Sequence, residues 1–370
     1  MGQRVTITDV ARTAGVSVAT VSKVINGRYG VAQATTTRVM EVIDSLGYES
    51  SLVARSLRSH RTHVIGILVA EFEPFSAEIL KGAAGALADT GYELLAYTGG
   101  LHGRGAGWER RYLSRLSGTL IDGAVLVTPT VVDADAGVPV VAIDPHTGPT
   151  GLPTVDSDNL GGAVLGTEHL LGLGHRRIAF VGGRPDLESS RLREQGFRQA
   201  MAAAGVDVDE RLVRAGDYRK ESTVEPAREL LARDDRPTAV FAANDLSAMA
   251  TIDVAHELGL AVPRDLSVIG FDDIPESAQT DPPLTTVHQP IQALGAAAIG
   301  MLTALLDGGD TSDPHVRLPT SLVRRGTTAR NSRPTSPTNA SPATICTVVT
   351  IRAVCVTGTM SPNPTVASTV

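Results

Sequence analysis

An all-α helix-turn-helix head joined to an α/β body of two doubly wound, parallel-sheet lobes is the fold class predicted for this 370-residue chain. Three observations predict it. Two short helical patterns flank a Gly-Val-Ser turn near the N-terminus; β-prone and helical runs alternate from residue 64; and that alternation restarts near residue 161. The chain is 42% apolar, enough to bury a core, and its length suits two or three domains.

The head comes first, in residues 6–26, TITDVARTAGVSVATVSKVIN. Val10, Ala11 and Ala14 repeat at helical spacing up to Gly15, a residue able to take the left-handed conformation of a sharp exit. Ser17 is placed to cap a second helix whose buried face is Val21, Val24 and Ile25 and whose stop is Asn26-Gly27. A third pattern from Thr35 to Leu46, with Val39, Val42, Ile43 and Leu46 on one face, completes a three-helix core. Val18 and Ala19 fall outside the apolar face. Small apolar residues there suit entry into a DNA major groove, where they meet thymine methyl groups while Thr20, Ser22 and Lys23 reach phosphates or base edges.

Charge supports that reading. Residues 1–63 hold eight Arg or Lys and four acids, a net of +4 in a chain of −7 overall, which leaves −11 for residues 64–370. A basic head on an acidic body suits a polyanion-binding module whose body is kept off the polyanion. After Tyr48, Leu52 to Arg58 forms a short helical piece, and the β-prone run HVIGILVA begins the body.

In the body, helical runs at Glu78–Thr90 and Glu109–Ser117 alternate with YELLAY, DGAVLV and VPVVAI. The restart brings helical runs at Gly161–Leu173, Arg191–Ala204, Ser222–Arg233 and Asp245–Leu258 between RRIAFVGG, LVRAG, TAVFAAN and LSVIGF. Two such units in tandem predict two lobes with a cleft between them. Ligands of doubly wound sheets sit outside the carboxyl ends of strands, where this chain places Asp144, Asn244-Asp245 and Asp272-Asp273. Asn244 and Asp245 could instead serve the helix that follows, as a cap and as a charge at its N-terminus. His169 and His175 read as structural, and Trp108 as either a stacking surface or a helix cover.

The segments DVARTAGVSVATVSKVIN, VARSLR and IGILV, followed by EHLLGLGHRRIAFVGG, SRLREQGF, FAANDLSAMA, LSVIGFDDIPESAQTDPPLTTV and LPTSLVRRGTT, resemble the LacI (lactose repressor) family of bacterial transcription regulators over residues 4–330. The resemblance implies a DNA-binding domain at 1–50, a hinge helix at 51–63 and an effector-binding and dimerisation core at 64–330, similar to periplasmic sugar-binding proteins. It implies operator DNA as partner, contacted by Thr6, Ser17, Val18, Ala19, Thr20, Ser22, Lys23, Asn26, Arg28, Ala54, Leu57 and Arg58, with Leu57 wedged into the minor groove. By the same match Phe75, Asp144, Arg193, Asn244 and Asp272 bind a small effector. Arg and Asp in one cleft suit a polyhydroxylated ligand, which favours a sugar. The implied assembly is a homodimer, with a tetramer also open, and the implied action is repression under allosteric control. A sugar receptor without DNA binding, or an activator or corepressor-dependent regulator, would share parts of this pattern. The family's Pro-Asn pair after the tyrosine is here Glu49-Ser50-Ser51, so the hinge would be capped differently.

Several classes are disfavoured. No GxSxG, P-loop or HExxH motif occurs, and the glycines of TGGLHGRGAG at 98–107 lack the strand-to-helix setting that binds phosphate; no enzyme and no cofactor are expected. Cys346 and Cys355 both lie near the C-terminus, leaving the body without disulfides or a cysteine metal site. No apolar run reaches a membrane span of about 18 residues and no signal segment opens the chain, so a cytoplasmic protein is expected. Residues 331–370 are rich in Thr, Ser, Pro and Val; 331–342 are expected to be disordered, and TICTVVTIRAVCVTG is β-prone.

Overall fold

The computed structural model describes residues 5–25, 29–46, 61–99, 107–130, 137–149, 151–309 and 314–332. Among the expectations above, Asn26, Arg28, Ala54, Leu57 and Arg58, the hinge piece 52–58 and the tail from 333 lie outside the described residues.

The head contains three helices, α1 (Ile7–Ala14), α2 (Val18–Ile25) and α3 (Gln33–Leu46). The side chain of Thr6 accepts from the N–H of Asp9 at 3.4 Å while the Asp9 carboxylate accepts from the N–H of Thr6 at 2.9 Å, a reciprocal cap on α1. Gly15 closes the helix at φ 67°, so the chain turns without the steric cost a Cβ would add. The Ser17 hydroxyl then accepts from the N–H of Thr20 at 3.1 Å and starts α2. Val10, Val21 and Val39, one from each helix, are fully buried together.

The body opens at Thr62 and His63, whose backbone N–H groups both donate to the Asp122 carboxylate. One lobe holds a six-stranded sheet built from β1 (Val64–Val69), β2 (Glu93–Thr98), β3 (Gly123–Val127), β4 (Val140–Ile143), β5 (Thr154–Ser157) and β11 (His315–Leu318), in the order β11-β5-β4-β3-β1-β2. Every pair in it is parallel. Strands β1, β3 and β4 are buried along their whole length, as apolar runs covered on both faces must be. Helices α4 (Pro74–Ala86) and α5 (Trp108–Leu116) belong to this lobe. Pro74, with its φ already helical, starts α4 four residues before the Glu78 predicted from periodicity.

The second lobe carries α6 (Asn159–Gly172), β6 (Ile178–Gly182), α7 (Glu188–Ala203), β7 (Val213–Ala215), α8 (Lys220–Leu231), β8 (Ala239–Ala242), α9 (Asp245–Glu257), β9 (Ser267–Asp272), β10 (Thr285–His288) and β12 (Ser321–Val323). Its sheet order is β12-β10-β9-β8-β6-β7, parallel except at the edge, where β12 runs antiparallel to β10. His175 is 3% exposed and bonds to Thr238, Ser267 and the Ala329 carbonyl, and His169 bonds to Thr328, so both histidines tie the segment after β12 to the lobe.

The lobes are not the simple tandem units expected. The chain passes between them three times: from β5 into α6, from β10 into α10 (Ile291–Leu306), and from β11 into β12. Helix α10 returns to the first lobe, where its apolar face covers β3, β4 and β5. It crosses α4 at glycines: a Cβ on Gly82 would lie 1.9 Å from the Gln292 carbonyl oxygen, and one on Gly295 2.3 Å from that of Ile79. Only glycine permits that approach. Among the described residues no helix is long and apolar enough to cross a membrane.

Candidate functional site

All five predicted ligand-binding residues, Phe75, Asp144, Arg193, Asn244 and Asp272, line one cleft of about 790 Å³. Its walls come from both lobes: Phe75 opens α4, Asp144 follows β4, Arg193 projects from α7, Asn244 precedes α9, and Asp272 ends β9. The backbone is strained where it enters the cleft, with Thr128 at φ 46°, Asp144 at 44° and Asp272 at 116°. These turns aim side chains outward from strand ends that would otherwise continue into the sheet.

Arg193 is the centre of the site and is 4% exposed. Its Nε donates to Asn159 Oδ1 at 2.9 Å; its Nη1 donates to the Ala243 carbonyl and, at 3.2 Å, to Asp272 Oδ1. The guanidinium lies 3.8 Å from the centroid of the Phe271 ring, a stacking that fixes its plane. Asp272 Oδ1 also accepts from Gln289 Nε2 at 2.6 Å. Asn159 reaches back to Asp144 at 3.5 Å, so one chain of polar groups links β4, α6, α7, β9 and the segment after β10. Asn159 and Gln289 were not singled out from sequence, because each is set by a passage between lobes rather than by a motif.

The electrostatics are unusual for acids. Burial raises Asp144 to about 7, with Arg193 opposing and Asp156 adding repulsion. Burial also raises Asp272, against the pull of Arg193 and Gln289. Glu73, another carboxylate lining the cleft that the sequence did not single out, is raised to about 7 by burial first and Asp272 second, with Arg219 opposing.

Asn244 is largely committed elsewhere. Its Oδ1 accepts from the N–H of Ser247 and its Nδ2 donates to the Tyr218 carbonyl, so it caps α9 and offers a ligand at most its second N–H. Asp245 is fully buried and accepts from the Thr286 hydroxyl at 2.5 Å and the N–H of Ile274 at 2.9 Å, which makes it a brace between α9, β10 and the turn after β9. Asp273 holds Arg325 and His288. Trp108 borders the cleft, but at 1% exposure it is a buried cover that packs edge-on against Tyr112. Across the cleft, Arg219 of one lobe pairs with Glu71 of the other at 2.7 Å, and the His146 carbonyl accepts from Arg191 and from the N–H of Glu188.

In the head, Val18, 39% exposed, and Ala19 face outward from α2 together with Lys23, opposite the buried Val21 and Val24. Thr6 and Ser17 spend their hydroxyls on helix caps, and the Thr20 hydroxyl meets that of Ser17 at 2.9 Å. Ser22 is half-buried on the same helix.

Residues 6–51 match the lacI family of bacterial regulatory proteins, and residues 167–328 match the periplasmic binding protein-like domain. The HTH-type transcriptional repressor PurR of Photobacterium profundum is 40% identical over 310 residues, which cover 80% of this chain and 90% of that protein. A solved transcriptional regulator CelR–cellobiose complex is 36% identical, with TM-score 0.66 over 88% of this chain and 100% of the other. The lac repressor dimer bound to operator and the anti-inducer ONPF has TM-score 0.77 at 28% identity, again over 88% and 100%.

Proposed function

The chain belongs to the LacI family of bacterial regulatory proteins, and from that premise we propose that it is a transcriptional repressor whose affinity for operator DNA is set by a small polyhydroxylated effector, most simply a sugar, held in the cleft around Arg193. The family makes it a transcriptional regulator with a helix-turn-helix head. The observation that carries the finer reading is the convergence of Phe75, Asp144, Arg193 and Asp272 on one enclosed space. Two carboxylates and a guanidinium, pre-positioned by Asn159 and Gln289, can grip vicinal hydroxyls through paired hydrogen bonds, while Phe75 covers the apolar face of a sugar ring. Val18, Ala19 and Lys23 on the outer face of α2 would read the major groove, with Thr6, Ser17, Thr20 and Ser22 beside them. A homodimer would place two such heads on a two-fold operator.

A thermal-shift screen of neutral mono- and disaccharides tests this. A ligand at about 100 times its Kd stabilises the native state by about 2.7 kcal/mol, a readable rise in melting temperature. Arg193→Ala should reduce the affinity of any hit by on the order of 1.5–3 kcal/mol, the value of hydrogen bonds to a charged group, while operator binding in a gel shift persists. Unchanged affinity in Arg193→Ala would move the effector site elsewhere.

A further inference from the structure

We propose that the cleft is built for an effector carrying an amino group beside its hydroxyls, and that Glu73 is the residue that selects it. The proposal deepens the sugar reading above and rests on it. Among the charged side chains lining the cleft are Glu73 at the start of α4, Asp144 after β4, Asp272 at the end of β9, and Arg193 from α7.

One guanidinium cannot satisfy three carboxylates. The bonds from Arg193 go to Asn159, the Ala243 carbonyl and Asp272. Asp144 receives only the 3.5 Å contact from Asn159 among the described residues. The Glu73 carboxylate has no hydrogen bond or ion pair with a described residue, and although Glu73 stands at the cap position of α4 its side chain does not bond that helix. The cation facing it, Arg219, is held by Glu71 at 2.7 Å, and the remaining acid facing it is Asp272. Arg184 is likewise taken by Asp186; Lys220 lines the cleft as well, but with Glu71, Asp217 and Glu221 also lining it the acids outnumber the cations six to four.

An enclosed surplus of carboxylates is relieved in two ways, by taking up protons or by taking in a cation. A neutral polyol supplies hydroxyl donors but leaves the charge surplus as it was. An ammonium group on the same ring would sit against Glu73 in the partly desolvated cleft, and the remaining hydroxyls would still use Arg193 and Asp272. A phosphate or carboxylate on the ligand would meet the same three acids as repulsion. The cleft therefore ranks amino sugar over neutral sugar over sugar phosphate.

Calorimetric titration of the full chain at neutral pH and fixed salt tests the order with matched probes: glucose, glucosamine and glucose 6-phosphate, and the corresponding galactose and mannose series. In every series that binds, the amino member should bind about tenfold more tightly than the neutral one, as expected for a charge pair in a partly desolvated site, and the phosphate most weakly. Glu73→Gln, which keeps the side chain's shape, should still bind the neutral sugar and lose most of the amino preference. A neutral or phosphorylated member binding as tightly as its amino partner overturns the proposal and leaves the sugar reading standing. So does an amino preference that survives Glu73→Gln. If no probe binds here while the neutral-sugar screen gives a hit, the proposal is again overturned; if neither experiment finds a sugar, the sugar reading itself fails.

Discussion

Asp144 shows what burial does to a single side chain. An aspartate in an unfolded chain ionises near pH 4, whereas burial in the cleft raises this one to about 7. Between those values the folded chain holds a proton that the unfolded chain has lost, so stability falls as pH rises through the window and is retained below it. Asp144→Asn removes that dependence. Melting temperatures of the ligand-free variant should rise relative to the parent between about pH 4 and about pH 7, each tenfold difference in proton affinity being about 1.4 kcal/mol. The loss of attraction to Arg193 would add an offset at every pH, so the slope is the test; parallel curves would mean the carboxylate is solvated. Asp144, Asn244 and Asp272 were visible in sequence because polar residues that end apolar strands have few structural reasons to be there. Glu73, Asn159 and Gln289 carried no such signal, since their roles depend on which segments the fold brings opposite them. Asn244 marks the limit of that logic: it lies in the cleft, as predicted, but most of its bonding capacity goes to α9 and Tyr218.

Elements with strong local punctuation were legible. Gly15 and Ser17 delimit α1 and α2 in sequence and do so in the structure by a left-handed turn and a cap bond. The sidedness of α2 followed from its apolar spacing, with Val21 and Val24 buried and Val18 and Ala19 exposed. That exposure gives a prediction about DNA. Ala19→Arg introduces a long bidentate donor where, on the proposed reading, a small apolar group would face the bases, so a binding-site selection should return a different preferred operator, with discrimination of about 1–3 kcal/mol at the altered base pair. An unaltered preferred sequence would take α2 out of the groove. Elements whose place depends on distant contacts were not legible. Strand β5 is only Thr154–Ser157, with polar residues at three of four positions, and it is buried because β11, some 160 residues later, pairs with it. Helix α10 is apolar around much of its surface, which signals burial but not which lobe buries it.

At the scale of the whole molecule, the three passages between lobes do what a tandem arrangement could not. Each lobe is completed by chain that has already visited the other, and Asn159 and Gln289, which hold Arg193 and Asp272 in the cleft, lie within those passages. The cleft is thus coupled to the connections about which the lobes would turn, and the Arg219–Glu71 pair bridges its mouth. A ligand that changes how the lobes sit would change how two DNA-reading heads are presented, through the segment at 51–60 that joins head to body. Linkage then requires effector and operator to alter each other's affinity by one common factor. The most direct measurement is the operator Kd of the full chain at fixed salt, without effector and with the cleft saturated, paired with the effector Kd with and without operator. The account predicts a change of about fivefold or more, in the same ratio in both titrations. An operator affinity indifferent to a ligand shown by calorimetry to occupy the cleft would contradict it.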